Sequence, residues 1–285
     1  MSRTPAPLDP EKYEPDEDGW PREIVGSWAE DKYARLAKYV DISRGVRSGF
    51  IGPSDAGATY IELFSGPSRV RFKNAAHARH GSPLVAWEES ARTNTRFTQV
   101  HVADLDTRLV DATGDRLANA GAPVQLETGP AAETLARIMP KLNKAALHVA
   151  FLDPYNLESL SFELIRQLAG LKRMDILIHV SLQDLNRNLL RYLDRESSPL
   201  DSFAPKWREQ VDGERSIEHV RGKLFEYWRS LVRGVDMATA ETAELVVGPN
   251  NQPLYWLAFV ARHDRALEFW EKIRDLQPSR QDRLL

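Results

Sequence analysis

The sequence predicts an open, doubly wound α/β sheet, and three observations carry that expectation. Strand-like and helix-like segments alternate at least five times along the 285 residues, the pattern of a sheet wound by crossover helices. Two apolar runs, Thr59–Leu63 and Leu147–Leu152, deliver polar groups at their ends: Glu62 through Ser68 in one, Asp153-Pro154-Tyr155 in the other. Open sheets bind ligands along that carboxyl edge. A hairpin-like pair, Ala243–Val247 and Pro253–Ala261, approaches the end of the chain around Gly248-Pro249-Asn250-Asn251.

The elements follow in order. Trp28–Val46 reads as a helix, with Trp28, Leu36, Tyr39 and Val40 on one apolar face and Gly45 at its end. Gly49–Ala58 is a connector, and Tyr60–Phe64 is the first strand of the sheet. Arg69–Gly81 reads as an insertion. Ser82-Pro83 then makes a helix start, Ser as cap and Pro at the first helical position. Phe97–Ala103 is the second strand, and Asp106 caps a helix reaching Gly121. Pro123–Glu127 is the third strand, followed by a helix over Ala131–Met139 that Pro140 stops. Ala146–Leu152 is apolar throughout, as in the middle of a parallel sheet. Phe162–Leu168 is a helix with Gly170 just beyond it, Met174–Val180 a fifth strand and Gln183–Leu193 a helix. Ser197–Gly222, polar and carrying Pro199 and Pro205, reads as a mobile cap before a helix over Lys223–Val232. His263–Leu276 is the last helix. The antiparallel closing pair is a feature of the class I S-adenosylmethionine (SAM) methyltransferase sheet. The expected class is therefore a Rossmann-like, doubly wound sheet of that type with helical additions, by analogy of fold.

Composition sets outer bounds. With 42% hydrophobic residues the chain supports one sizeable core. A net charge of −3 creates no global field toward nucleic acid or membrane. The chain has no cysteine, which excludes disulfides, thiolate-held metals and a thiol nucleophile and fits a reducing compartment. No apolar stretch approaches the ~20 residues of a membrane span. The first 22 residues, rich in Pro, Asp and Glu, read as a flexible tail without a secretory signal, and the protein as cytoplasmic. Residues 23–285 read as a single α/β domain with an N-terminal helix and a helical insertion near 194–235.

The loop Phe64-Ser65-Gly66-Pro67-Ser68 is the first candidate site. Gly66 permits close approach of a ligand and a positive φ. The pattern G-x-G-x-x-G is absent, and Pro67 removes an N–H that a pyrophosphate needs, which disfavours NAD and ATP. A nucleoside is the better match, with Glu62 receiving the ligand's ammonium directly or through water. A plain tight turn with a solvated acid is the alternative. Asp104, after the second strand, can accept both hydrogen bonds of a ribose diol, with Leu105 beside it. Asp153-Pro154-Tyr155 resembles part of the motif that holds a target amine in base methyltransferases, where the aromatic stacks on a flipped base. One proline of that motif is missing here, and a structural turn with a buried tyrosine is the alternative. Arg69, Arg71, Lys73 and Arg79 carry four positive charges with no acid among them. They read either as a clamp for an anionic substrate such as nucleic-acid phosphate or as a solvated loop. Arg187, Arg191 and Arg195 recur every four residues as one basic stripe of a helix. Trp207, Trp228, Trp256 and Trp270 read as packing residues.

The chain resembles the three-Cys-motif partner (TcmP) proteins. The resemblance rests on five blocks in order: Trp28-x-x-x-Lys32-x-x-x-Leu36-x-x-Tyr39; Tyr60 through Pro67; Gly81-Ser82-Pro83-Leu84; Phe151 through Tyr155; and Asp184-Leu185-Asn186-Arg187-Asn188. It departs from the family at Ser68, where a second glycine is common, and at Glu62, where Asp is common. The resemblance implies a SAM-methyltransferase-like fold and a partner, encoded nearby, that carries a Cys-rich motif of the radical-SAM type.

Taken together these residues predict a SAM-dependent methyltransferase-like protein. Glu62, Phe64, Ser65 and Gly66 would hold the methionine end, Asp104 and Leu105 the ribose side, and Thr128-Gly129 the adenine edge. Asp153 and Tyr155 would position the acceptor, with Pro154, Arg69, Arg71 and Arg187 contacting substrate, possible nucleic acid included. Two alternatives stand beside it: a non-catalytic nucleic-acid- or partner-binding protein on the same scaffold, and a nucleotide hydrolase using Asp104 and Asp153 with a metal.

Overall fold

The computed structural model describes residues 7–275 apart from 53, 74, 212–215, 242 and 249–251. The chain opens with β1 (Tyr13–Pro15), β2 (Pro21–Val25), α1 (Ala29–Ile42), α2 (Arg44–Ile51) and β3 (Ala58–Glu62). It continues through β4 (Arg69–Phe72), β5 (Ala78–His80), α3 (Ser82–Arg92), β6 (Gln99–Asp104), α4 (Thr107–Asn119) and β7 (Val124–Thr128). Next come α5 (Ala131–Ile138), β8 (Leu147–Leu152), α6 (Phe162–Leu168), β9 (Met174–Ser181), α7 (Leu182–Asp194), α8 (Pro199–Phe203) and α9 (Ile217–Gly234). β10 (Ala238–Thr239), β11 (Glu244–Val247), β12 (Pro253–Ala261) and α10 (Asp264–Asp275) complete it.

Among the described residues the strands form two sheets. The large one runs β10-β12-β9-β8-β3-β6-β7, with β11 also paired to β12. Its five strands from β9 to β7 are mutually parallel, and β12 lies antiparallel between β9 and β10. This is the doubly wound sheet of the class I methyltransferase type, as expected. In register, Ile61 of β3 stands opposite His101 of β6 and Ala150 of β8. Alternation along the central strands divides the core: Ile61, Ala150 and Ile176 pack on one face, Tyr60, Val149 and Leu177 on the other.

The second sheet, β1-β2-β4-β5, corrects two expectations. The described part of the N-terminal segment is not a tail, and Arg69–Gly81 is neither a free insertion nor a solvated basic loop. Each supplies strands to the same sheet, and their charges neutralise one another. Asp16, its side chain fully buried, meets Arg22 at 3.1 Å, Arg69 at 2.9 Å and Arg116 at 3.3 Å. Glu14 meets Arg22 at 2.6 Å and Arg71 at 2.5 Å. The proline- and acid-rich composition that resembled disorder is a set of partners for arginines far along the chain.

Smaller differences have local causes. The first helix breaks near Ser43 and resumes as α2, which carries Arg47, fully buried and bonded to the carbonyls of Val40 and Thr95. Ser82 does not cap α3; its hydroxyl goes to Glu62 instead. Asp106 does cap α4, accepting the Arg108 N–H at 3.0 Å. The segment expected as a mobile cap is packed where described, with Leu200, Phe203 and Trp207 buried. Trp228 and Trp270 are also fully buried, and Trp256 partly so. The turn expected at Gly248–Asn251 lies largely outside the described residues.

Candidate functional site

The carboxyl ends of β3, β6 and β8 open into a cleft of about 1060 Å³, covered on the far side by β2 and β4 of the small sheet. The turn after β3 forms its floor. Gly66 has φ +52°, in the left-handed region that glycine adopts without strain. The turn is pinned on every side. The Gly66 N–H donates to Asp104 at 3.0 Å, and its carbonyl accepts from the Thr113 hydroxyl at 2.7 Å. Arg116 donates to the Pro67 carbonyl at 2.5 Å, and the Gly81 N–H to that of Ser68 at 2.7 Å. The loop therefore presents a fixed, bare surface. Phe64 and Ser65 also line the cleft.

Asp104 ends β6. One oxygen accepts the Gly66 N–H and the other the Asp106 N–H, at 3.3 Å. Burial pushes its carboxyl above the ordinary range against the pull of these N–H groups. An ionised carboxylate has about four acceptor positions, so two are left for a ligand's hydroxyls. Leu105, 73% exposed, stands beside it in the cleft lining. Gly129, with φ +136°, lines the same side and donates to the Asp104 carbonyl at 3.0 Å. Thr128 is exposed outside the lining, its carbonyl held by Arg137 at 2.8 Å.

At the end of β8, Asp153 forms an ion pair with Lys32 and lies 3.4 Å from His179 Nδ1. Burial opposes ionisation of Asp153, but the Lys32 charge and His179 overcome it and hold the carboxyl below its ordinary range. His179 is driven the other way, to about 4 by burial, and is neutral near pH 7. Tyr155 is not the buried tyrosine of the alternative reading: it is 74% exposed, with the Lys12 ammonium 4.0 Å above its ring. Pro154 lines the cleft between them. Asp184 braces this loop by accepting the Leu157 N–H at 2.9 Å.

Four further expected positions lie elsewhere. Glu62 is fully buried outside the cleft lining; Tyr60 donates to one of its oxygens at 2.6 Å and Ser82 to the other at 2.5 Å. It braces the start of α3, and desolvation raises its carboxyl well above the usual range. Arg69 and Arg71 pair with Asp16 and Glu14 and are not free to clamp a substrate. Arg187 is exposed on α7, one turn beyond Gln183, which does line the cleft. Residues the sequence did not single out stand in their place: Lys12 and Tyr13 before and in β1, Glu23 in β2, Lys32 in α1 and His179 in β9. Only Lys32 carried a signal, as a member of the Trp28 block. The others reach the cleft through pairings between distant segments.

No protein-family model matches the chain, and no curated protein matches its sequence. Solved structures do match its fold. Protein LPL1258 from Legionella pneumophila superposes with a TM-score of 0.50 at 10% identity, over 85% of this chain and 91% of that one. A SAM-dependent methyltransferase from Clostridium acetobutylicum gives 0.41 at 11% identity, over 80% and 91%. An rRNA methylase from Streptococcus thermophilus gives 0.37 at 11%, over 81% and 93%. At these identities the likeness bears on the fold, which the strand order establishes independently.

Proposed function

We propose that the chain is a SAM-dependent methyltransferase. The observation that carries this reading is one cleft in which a pinned, bare glycine turn faces Asp104 and the exposed Leu105. SAM, when bound, supplies a methyl group on a sulfonium, so the chain's task is chiefly alignment. Gly66 accommodates the amino-acid arm, Asp104 accepts the ribose hydroxyls, and Leu105 and Gly129 flank the purine. The acceptor sits over Pro154 and Tyr155. Ionised Asp153 accepts its N–H or O–H, while Lys32 fixes the carboxylate. A planar acceptor reaches the Tyr155 ring once Lys12 moves aside, at a cost of about 0.5–1 kcal/mol for an exposed cation–π contact. The TcmP resemblance extends the proposal to a cysteine-motif partner, and exposed Arg187 and Arg191 offer a surface to nucleic acid. Calorimetry with S-adenosylhomocysteine tests the reading: binding is expected and is weakened by Asp104→Ala, whereas no heat at millimolar ligand removes it.

One observation favours a second reading, a non-catalytic binding protein. The chain's own Lys32 and Lys12 occupy the acceptor-facing groups Asp153 and Tyr155. Methyl transfer from labelled SAM to a nucleic-acid or partner acceptor decides for the enzyme; partner capture without SAM binding decides against it.

A further inference from the structure

We propose that Glu23, on the second strand of the N-terminal sheet, receives the α-ammonium of the bound cofactor, the task expected of Glu62. This inference rests on the SAM reading of the cleft and assigns the anion of its amino-acid subsite to an element outside the methyltransferase sheet.

The geometry points there by three steps. Glu62 has both oxygens occupied by Tyr60 and Ser82 and does not line the cleft. Of the acids that do, Asp104 holds the Gly66 and Asp106 N–H groups, Asp153 holds Lys32, and Asp9 lies 3.9 Å from Lys12. Glu11 and Glu158 are exposed to solvent. Glu23 is half-buried, and its carboxylate has no hydrogen bond or ion pair among the described residues. Its place is also right. A Cβ on Gly66 would lie 3.6 Å from Glu23 Oε2, so a ligand arm laid over the bare glycine passes directly beneath the carboxylate.

An unpaired carboxylate removed from water is costly until a cation meets it. Burial raises Glu23 to about 7, helped by Asp153 and Asp104 and opposed by Lys32 and Lys12. Tyr13 of β1 and Tyr33 of α1 complete its electrostatic surroundings. An arriving ammonium favours the ionised form, so binding releases a proton when the pH lies below that value.

The test is calorimetry of S-adenosylhomocysteine and of 5′-methylthioadenosine, which shares the nucleoside but lacks the amino-acid arm. With wild-type protein, S-adenosylhomocysteine affinity should rise by roughly eightfold from pH 6 to 7.5, as ionisation through a carboxyl near 7 requires, while methylthioadenosine affinity stays flat. Glu23→Gln should weaken S-adenosylhomocysteine by about tenfold or more, the scale of a charge-assisted hydrogen bond. The same variant should abolish the pH slope and leave methylthioadenosine unchanged. Unchanged S-adenosylhomocysteine affinity in the variant, or equal losses for both ligands, overturns the assignment. The wild-type comparison needs no variant, so a flat profile for both ligands overturns it even if Glu23→Gln does not fold. Failure of both ligands to bind wild-type protein strikes the SAM reading itself.

Discussion

At Ser68 the backbone carries a cost that its side chain does nothing to relieve. Its φ is +58°, and its buried hydroxyl has no hydrogen-bond partner among the described residues. The left-handed conformation costs an L-residue roughly 1–2 kcal/mol, partly offset because glycine has more freedom to lose on folding. Ser68→Gly should therefore stabilise the protein by about 1 kcal/mol or less in urea melts; a destabilised variant would show that the serine makes a contact worth more than the strain. Asp175 offers a pH-dependent case. It is buried, accepts the Tyr39 hydroxyl at 2.6 Å, and burial raises it from 3.8 to about 6. Between those values the folded chain keeps a proton that the unfolded chain has released. Its contribution to stability falls as pH rises through that window and stays low above it. His101 and His148, lowered to about 4 by burial, work in the opposite sense, so the informative quantity is the difference between proteins. Asp175→Asn should gain melting temperature relative to wild type from pH 4 to 6.5; parallel profiles would refute the linkage.

At the scale of elements, buried charge ties the N-terminal sheet to α4, which packs on the large sheet. Asp16 joins β1 to Arg22 of β2, Arg69 of β4 and Arg116 of α4. Removing Asp16 leaves Arg69 without its carboxylate and reduces Arg22 to Glu14 and Arg116 to Asp18, which costs about 1–3 kcal/mol. That energy falls on a small sheet whose apolar contact with α1 is limited to the cluster of Val70 with Ala29 and Tyr33. Asp16→Ala should therefore open residues 9–25 to hydrogen exchange while strands β3 and β8 stay protected. Uniform loss of protection would show instead that both sheets unfold as one unit. The same element carries Lys12, Tyr13 and Glu23 into the cleft, so this variant should also weaken S-adenosylhomocysteine.

For the molecule as a whole, the proposed function depends on a crevice between two sheets. A ligand bound only to the folded state at about 100 times its Kd adds roughly 2.7 kcal/mol. In a chain of this size that is a rise of roughly 5–10 °C in melting temperature. S-adenosylhomocysteine should produce such a shift and ATP should not, since Pro67 leaves the turn short of phosphate donors; equal shifts would mean a generic nucleotide pocket.

What the sequence determined by itself was local and periodic. Continuous apolar runs declared the central strands, breakers ended the helices, and Gly66, Asp104 and Leu105 could be placed at strand ends because the doubly wound topology puts every such end on one edge. The correct cap at Asp106 has the same origin: a residue bonding to its own neighbours two positions away. Tertiary structure decided everything that depended on pairing at a distance. An acid-rich opening has the composition of disorder until Arg69, Arg71 and Arg116 are brought beside it. Ser82 is a natural cap until Glu62 lies within 2.5 Å. Glu23 is an ordinary surface acid in sequence and becomes a cleft residue only because β2 pairs in parallel with β4 across the end of the large sheet. Charge and hydrogen-bond partners are chosen by proximity in space, which no local pattern encodes.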